Sequence, residues 1–236
     1  KKARPPKNQE VLVVGAITES DLRYTPGGLA VLRLQVAGEN AQEPKRPFYL
    51  TFRVFGERAA LLADELRPGL GTILAGRFTT WRHEKSVEAS LVADRVEAFD
   101  LPEEALSTPD AKGKRRLVGG MNRMWAVGNL ARDVEVSYGP TGTPFTRGAV
   151  ALQAQDGAHF LSFTAFRETA LALEGAKKGE RVFLEGTLLH DSWQTSDGNT
   201  RYGLKLEAER AYRLKRLIKA EPEEEEGAEK EDSLPF

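Results

Sequence analysis

The chain has 236 residues, 29% of them charged, a formal net charge of −1, three histidines and no cysteine. That length suits one large domain or two of about 100 residues, and the missing cysteines exclude disulfides and a thiolate nucleophile, which fits a reducing compartment. No apolar run approaches the ~20 residues of a membrane helix, and the N-terminal KKARPPK lacks an apolar signal core, so a cytoplasmic protein without membrane contact is expected.

Residues 1–9 form a basic, proline-containing lead-in. Residues 11–17 predict an apolar strand, Pro26-Gly27-Gly28 a turn, and 29–36 (LAVLRLQV) an alternating strand. After a loop with Pro44 and Pro47, residues 48–55 (FYLTFRVF) alternate most regularly. Phe48, Leu50, Phe52 and Val54 share one face, and Tyr49, Thr51, Arg53 and Phe55 the other. Residues 57–66 space Ala59, Leu62, Ala63 and Leu66 as a helix, which Pro68-Gly69 stops. Residues 72–81 and 87–99 then pair as a hairpin. Three strands, a helix and two strands is the order of an OB-fold, a five-stranded Greek-key barrel.

The order then repeats. VLVVGAITESDLRYTPGGLAV (11–31) answers MWAVGNLARDVEVSYGPTGTPF (124–145), and FRVFGERAALL answers FTAFRETALAL. Strands are predicted at 123–130, 145–152 and 159–166, a helix at 168–176, and a closing hairpin at 181–190 and 201–214 turned by Asp197-Gly198. The expected architecture is all-β: OB-fold 1 over 8–99, a linker over 100–120, OB-fold 2 over 121–216, and an acidic tail over 217–236. Residues 219–236 carry eight acids against Lys219 and Lys230, which leaves the body net basic. A basic body with an acidic tail is common in polyanion binders.

Catalysis finds no support. His83, His159 and His190 lack metal spacing, and His190-Asp191-Ser192 cannot converge because neighbouring strand residues face opposite ways. No phosphate loop or dinucleotide fingerprint is present, so no enzyme, metal or cofactor is expected. What remains is aromatic and basic. A single-strand binder needs flat rings for unstacked bases, worth about 1–3 kcal/mol each, and cations along the backbone. In the first copy Tyr49, Phe55 and Trp81 are the candidate rings, with Arg23, Arg33, Arg53, Arg77, Arg82 and Lys85 as phosphate partners. In the second they are Phe160, Phe166 and Trp193, with Arg123, Arg147, Arg167, Arg201 and Lys205. Phe55 and Phe166 end their strands and have room to turn inward, and Trp125 on an aliphatic first strand reads as packing or subunit contact.

These residues resemble the bacterial single-stranded DNA-binding protein family, in its branch with two OB-folds per chain. The resemblance rests on Asn122-Arg123, Val127-Gly128-Asn129-Leu130-Ala131-Arg132-Asp133 and Leu22-Arg23-Tyr24-Thr25-Pro26-Gly27-Gly28. Phe183-Leu184-Glu185-Gly186, Asp191-Ser192-Trp193 and Arg201-Tyr202 extend it. The ending Asp232, Ser233, Leu234, Pro235 and Phe236 resembles the family's acidic tip. It implies single-stranded DNA as ligand, roles in replication, recombination and repair near the nucleoid, and four barrels per particle, here a homodimer. It also implies that the tip recruits replication and repair proteins. Tyr49 and Phe160 match the family's third-strand stacking tryptophan, Phe55 and Phe166 its stacking phenylalanine, and Trp193 its hairpin tryptophan. Trp81 falls two residues short of the last match.

The family's usual tryptophan after strand two is missing from 38–47 and 153–158, which implies fewer stacked bases per barrel and a specialised paralogue. The Glu-rich tail cannot bury enough apolar area to fold. With no long spacer, its 18 residues span only about 25 Å, so partners would dock close to the barrels or the tail would compete for the groove. A protein-interaction module of primosomal type and an RNA binder on the same face are the competing expectations.

Overall fold

The protein is described from a computed structural model covering residues 7–41, 46–83, 86–194 and 200–214, the side chains at 82, 83, 86, 191–194 and 200–202 excepted. The segment Asp232–Phe236 expected to bind partners, with the rest of the acidic stretch, lies outside these residues. The first half runs β1 (Gln9–Tyr24), β2 (Ala30–Asn40), β3 (Pro47–Phe55), α1 (Glu57–Ala63), β4 (Gly71–His83) and β5 (Ser86–Phe99). The second runs β6 (Leu117–Leu130), a short β7 (Ser137–Tyr138), β8 (Pro144–Ala154), β9 (Gly157–Phe166), α2 (Arg167–Leu171), β10 (Arg181–Gln194) and β11 (Thr200–Arg213).

Each half closes on itself. β1 pairs with β2, β2 with β3, β3 in parallel with β5, β5 with β4, and β4 with β1. The second ring passes through β6, β8, β9, β11 and β10 back to β6. Closure removes exposed edges and leaves every strand with an inner and an outer face. The inward set is the one that alternation predicts. Leu50, Phe52, Val54, Leu161, Phe163 and Ala165 are buried, and the residues between them face out.

Two predicted features are corrected. Both helices are shorter than predicted, at seven and five residues. The apolar positions that suggested longer ones, Leu66, Leu173 and Ala176, stay buried but beyond the helix ends. β1 instead runs on to Tyr24, past a bulge between Ile17 and Glu19. Its polar outer half is held by β2, so its stability comes from a partner strand and leaves no local signal.

The barrels share a framework. β1 and β6 lie side by side antiparallel, with Val11 opposite Met124 and Val13 opposite Asn122, so β5-β4-β1-β6-β10-β11 form one continuous six-stranded stretch. An amide side chain locks each barrel at equivalent places. Gln9 donates to the Phe78 carbonyl at 3.0 Å and accepts from its N–H at 2.8 Å. Asn122, fully buried, does the same with Leu188 at 2.8 and 3.3 Å. Two further contacts join strand three of one barrel to strand four of the other. His190 Nε2 donates to the Tyr49 carbonyl at 2.6 Å. The Thr80 N–H donates to His159 Nδ1 at 3.1 Å, which leaves the ring proton on Nε2, 3.1 Å from Asp156.

Candidate nucleic-acid interface

On the outer face of β2 and β3, Val31 lies opposite Phe55, Arg33 opposite Arg53, Gln35 opposite Thr51 and Ala37 opposite Tyr49. On β8 and β9 the corresponding pairs are Phe145–Phe166, Arg147–Thr164, Ala149–Ser162 and Ala151–Phe160. Strand alternation alone puts these residues outside, because their neighbours fill the barrels.

The rings there are open. Phe160 is 57% exposed, Phe166 43% and Trp81 42%. Neither Phe55 nor Phe166 turns inward. Phe55 meets Trp81 from β4 with ring centroids 5.7 Å apart and tilted by 49°. In the second barrel Phe166 meets Phe145 at 6.5 Å, and the Arg147 guanidinium sits 5.7 Å from the centre of the Phe145 ring. Phe145 was missed from sequence, because an aromatic at a strand's start gives no sign of its cross-strand neighbour. Tyr24 and Tyr138, each 63% exposed, extend the same rims on the β1–β2 hairpin and β7.

The predicted cations separate into two groups. Arg33, Arg53, Arg147 and Arg167 are without a carboxylate partner among the described residues. Arg33 directly faces Arg53 across the ladder. Like charges so placed destabilise a sheet, so the pair is paid for in stability and suits an anion lying over both. Lys205, half-buried on β11 opposite Ser162, does not belong to this group and is itself engaged.

Others are occupied. Arg23 pairs with Asp21 at 2.7 Å, and Arg77 pairs with Asp94. Arg123 bridges Glu185 at 2.9 Å and Glu209 at 2.5 Å on the outer face of the six-stranded stretch, so its charge is already neutralised. Among the described residues its guanidinium is held by these two carboxylates, unlike Arg33 and Arg53. Tyr49 also departs from expectation: its hydroxyl is tied to the linker through Asp110 and Arg116. The side chains of Arg82, Trp193 and Arg201, and the whole of Lys85, lie outside the described residues.

The outer face of the six-stranded stretch is aromatic in its own right. Trp125 stacks on Phe183 at 6.5 Å and 13°, and Phe183 meets Tyr212 at 6.0 Å. The packing role expected of Trp125 is present within the chain. Among the described residues no helix is long and apolar enough to cross a membrane, and no group of His, Cys, Asp and Glu is placed to hold a metal.

Residues 121–214, the second barrel, match the model of the single-strand binding protein family. The single-stranded DNA-binding protein of Thermus aquaticus is 36% identical over 222 residues, covering 86% of this chain and 83% of its own. A counterpart from Thermus thermophilus is 33% identical over 219 residues, covering 86% and 82%. The crystal structure of the wild-type T. aquaticus single-stranded DNA binding protein has a TM-score of 0.70 at 29% identity, covering 88% of this chain and 93% of that one. With both barrels, their order and most of their length shared with these relatives, the chain belongs to the single-strand binding protein family.

Proposed function

We propose that the chain binds single-stranded DNA without sequence preference, as a binding platform and not a catalyst. Bases lie on Phe55, Trp81, Phe160 and Phe166, and phosphates follow Arg33, Arg53, Arg147 and Arg167. The observation that carries this is the coincidence, in both barrels, of open rings and nearby guanidiniums that have no carboxylate partner among the described residues. Rings take any base because every base has a π-face, and cations follow a backbone that is the same for every sequence. Coating an unpaired strand in this way protects it during replication, recombination and repair in the cytoplasm. The segment Asp232–Phe236 offers a partner protein apolar and acidic side chains together, while the neighbouring acids steer the encounter.

Titrating intrinsic tryptophan fluorescence with oligo-dT at several salt concentrations tests this. Strong quenching is expected, with a log–log salt slope steeper than about −2, since each neutralised phosphate contributes about −0.7. Partner binding without quenching would favour a protein-interaction module, and tighter binding of RNA of equal sequence would favour an RNA binder.

The functional particle is a homodimer with four barrels, joined through the Trp125–Phe183–Tyr212 face. Half-buried and exposed aromatics in a contiguous run on the outer face of a sheet mark an interaction surface. Tyr212→Glu is expected to convert a dimer to a monomer in sedimentation velocity. A wild-type monomer, or a dimer indifferent to the substitution, would remove this assembly.

A further inference from the structure

The two strand faces have the same register but are not equally open. Over the first, the linker crosses the end that carries Tyr49. The Tyr49 hydroxyl donates to Asp110 at 2.8 Å and accepts from Arg116 at 3.1 Å. Arg116 also pairs with Glu39 at 2.8 Å, and Lys114 reaches Glu19 at 2.5 Å and Gln35 at 2.6 Å. Asp110 is itself fixed by a tight turn, accepting the N–H groups of Lys112 at 2.8 Å and Lys114 at 2.9 Å. The Lys114 N–H first, and then the Tyr49 hydroxyl, hold its carboxyl below the usual carboxylate range. The strap therefore covers the Tyr49 end of the face with a web of polar side chains whose charges are largely paired with one another, so a strand must displace it to reach that ring.

Over the second barrel no described residue makes the equivalent crossing. Phe160, which stands where Tyr49 stands, is 57% exposed, and Ser162 beside it is open. That barrel also gains a ring. Phe145, under the Arg147 guanidinium, occupies the place of Val31. The first barrel keeps Arg33, Arg53 and the Phe55–Trp81 pair at its far end.

We propose that the barrels bind unequally: a short strand seats on Phe160, Phe166 and Phe145 of the second barrel, and the linker strap, through Asp110 and Arg116, withholds the Tyr49 end of the first until a longer strand displaces it. This rests on the strand-binding function above and specifies where the strand goes first. The strap is held by polar contacts, open at Glu19 and partly buried at Arg116 and Glu39, that a strand's phosphates can replace with contacts of their own. A stacked base, by comparison, is worth about 5–150-fold in affinity.

The test uses the full chain and labelled oligo-dT of about 8 nucleotides, suited to one barrel, and about 30, enough for both. Phe160→Ala is expected to weaken the short complex by about 5–150-fold, and Tyr49→Ala by far less. Asp110→Ala and the milder Tyr49→Phe, which keeps the ring and removes the tied hydroxyl, should raise the number of short strands bound per chain. A merely structural linker would not produce that gain. Equal losses from Tyr49→Ala and Phe160→Ala, with no gain on releasing the strap, would overturn the inequality and leave strand binding standing. Indifference to both alanines would overturn the strand-binding function itself.

Discussion

Replacing Phe160 and Phe166 together by alanine is expected to weaken oligo-dT binding by about 2–6 kcal/mol, the loss of two stacked bases. The melting temperature should move little. Both rings stand outside the second barrel, 57% and 43% exposed, while Leu161, Phe163 and Ala165 between them fill its core. The two positions are six residues apart on β9, about 20 Å along an extended strand, so they serve different bases and their effects should add. Fluorescence titration of the two single variants and the double variant measures this, with thermal melts in parallel. A collapsed melting temperature would mark the rings as structural. Unchanged affinity with an intact fold would mean that the strand lies elsewhere.

The largest effect on stability is expected at two glycines with the same job. Gly76 and Gly186 sit at the bulges of the two closing hairpins, where the register slips after Ala75 and after Glu185. There the facing strand comes so close that a Cβ would overlap the carbonyl oxygen of Val92 or of Glu207. These are backbone atoms held in a ladder, so no rotamer change relieves the overlap. Gly186→Ala is therefore expected to cost about 2–4 kcal/mol, read as a lower urea midpoint at unchanged slope. Gly27→Ala is the control, since its added methyl meets nothing nearer than 4.0 Å and its φ is ordinary. Its cost should stay under about 1 kcal/mol. Equal effects at the two positions would show that the bulge is looser than its geometry implies.

Much of the fold was legible because barrel strands leave a period-two trace. Phe48 to Phe55 declares which residues are inside, and the repeat states that whatever holds for one half holds for the other. Helix ends were less legible. Leu66, Leu173 and Ala176 satisfy helical spacing, yet they reach the core from non-helical backbone beyond the helix ends, because burial rewards the position of a side chain and not the backbone that delivers it. The polar half of β1 was missed for the opposite reason: its hydrogen bonds come from β2, and its side chains carry no pattern.

The candidate site divides in the same way. That Phe55, Phe160 and Phe166 face outward follows from alternation, as does the outward placement of Arg33 and Arg53, which have no carboxylate partner among the described residues. Arg123, from sequence as plausible a phosphate partner as Arg147, is committed to Glu185 and Glu209, which lie more than sixty residues further on. Tyr49 is committed to Asp110 and Arg116 in a linker that composition presents as a mere connector.

By itself, then, the sequence determined the two barrels, the inward and outward sides of their strands, and the residue types a strand would meet. Those are local properties, set by side-chain alternation and turn chemistry within a few residues. Only the tertiary structure decided which of those residues are free to meet it. Availability depends on partners distant along the chain, and a carboxylate or a linker residue claims a ring or a guanidinium only once folding has brought the two together.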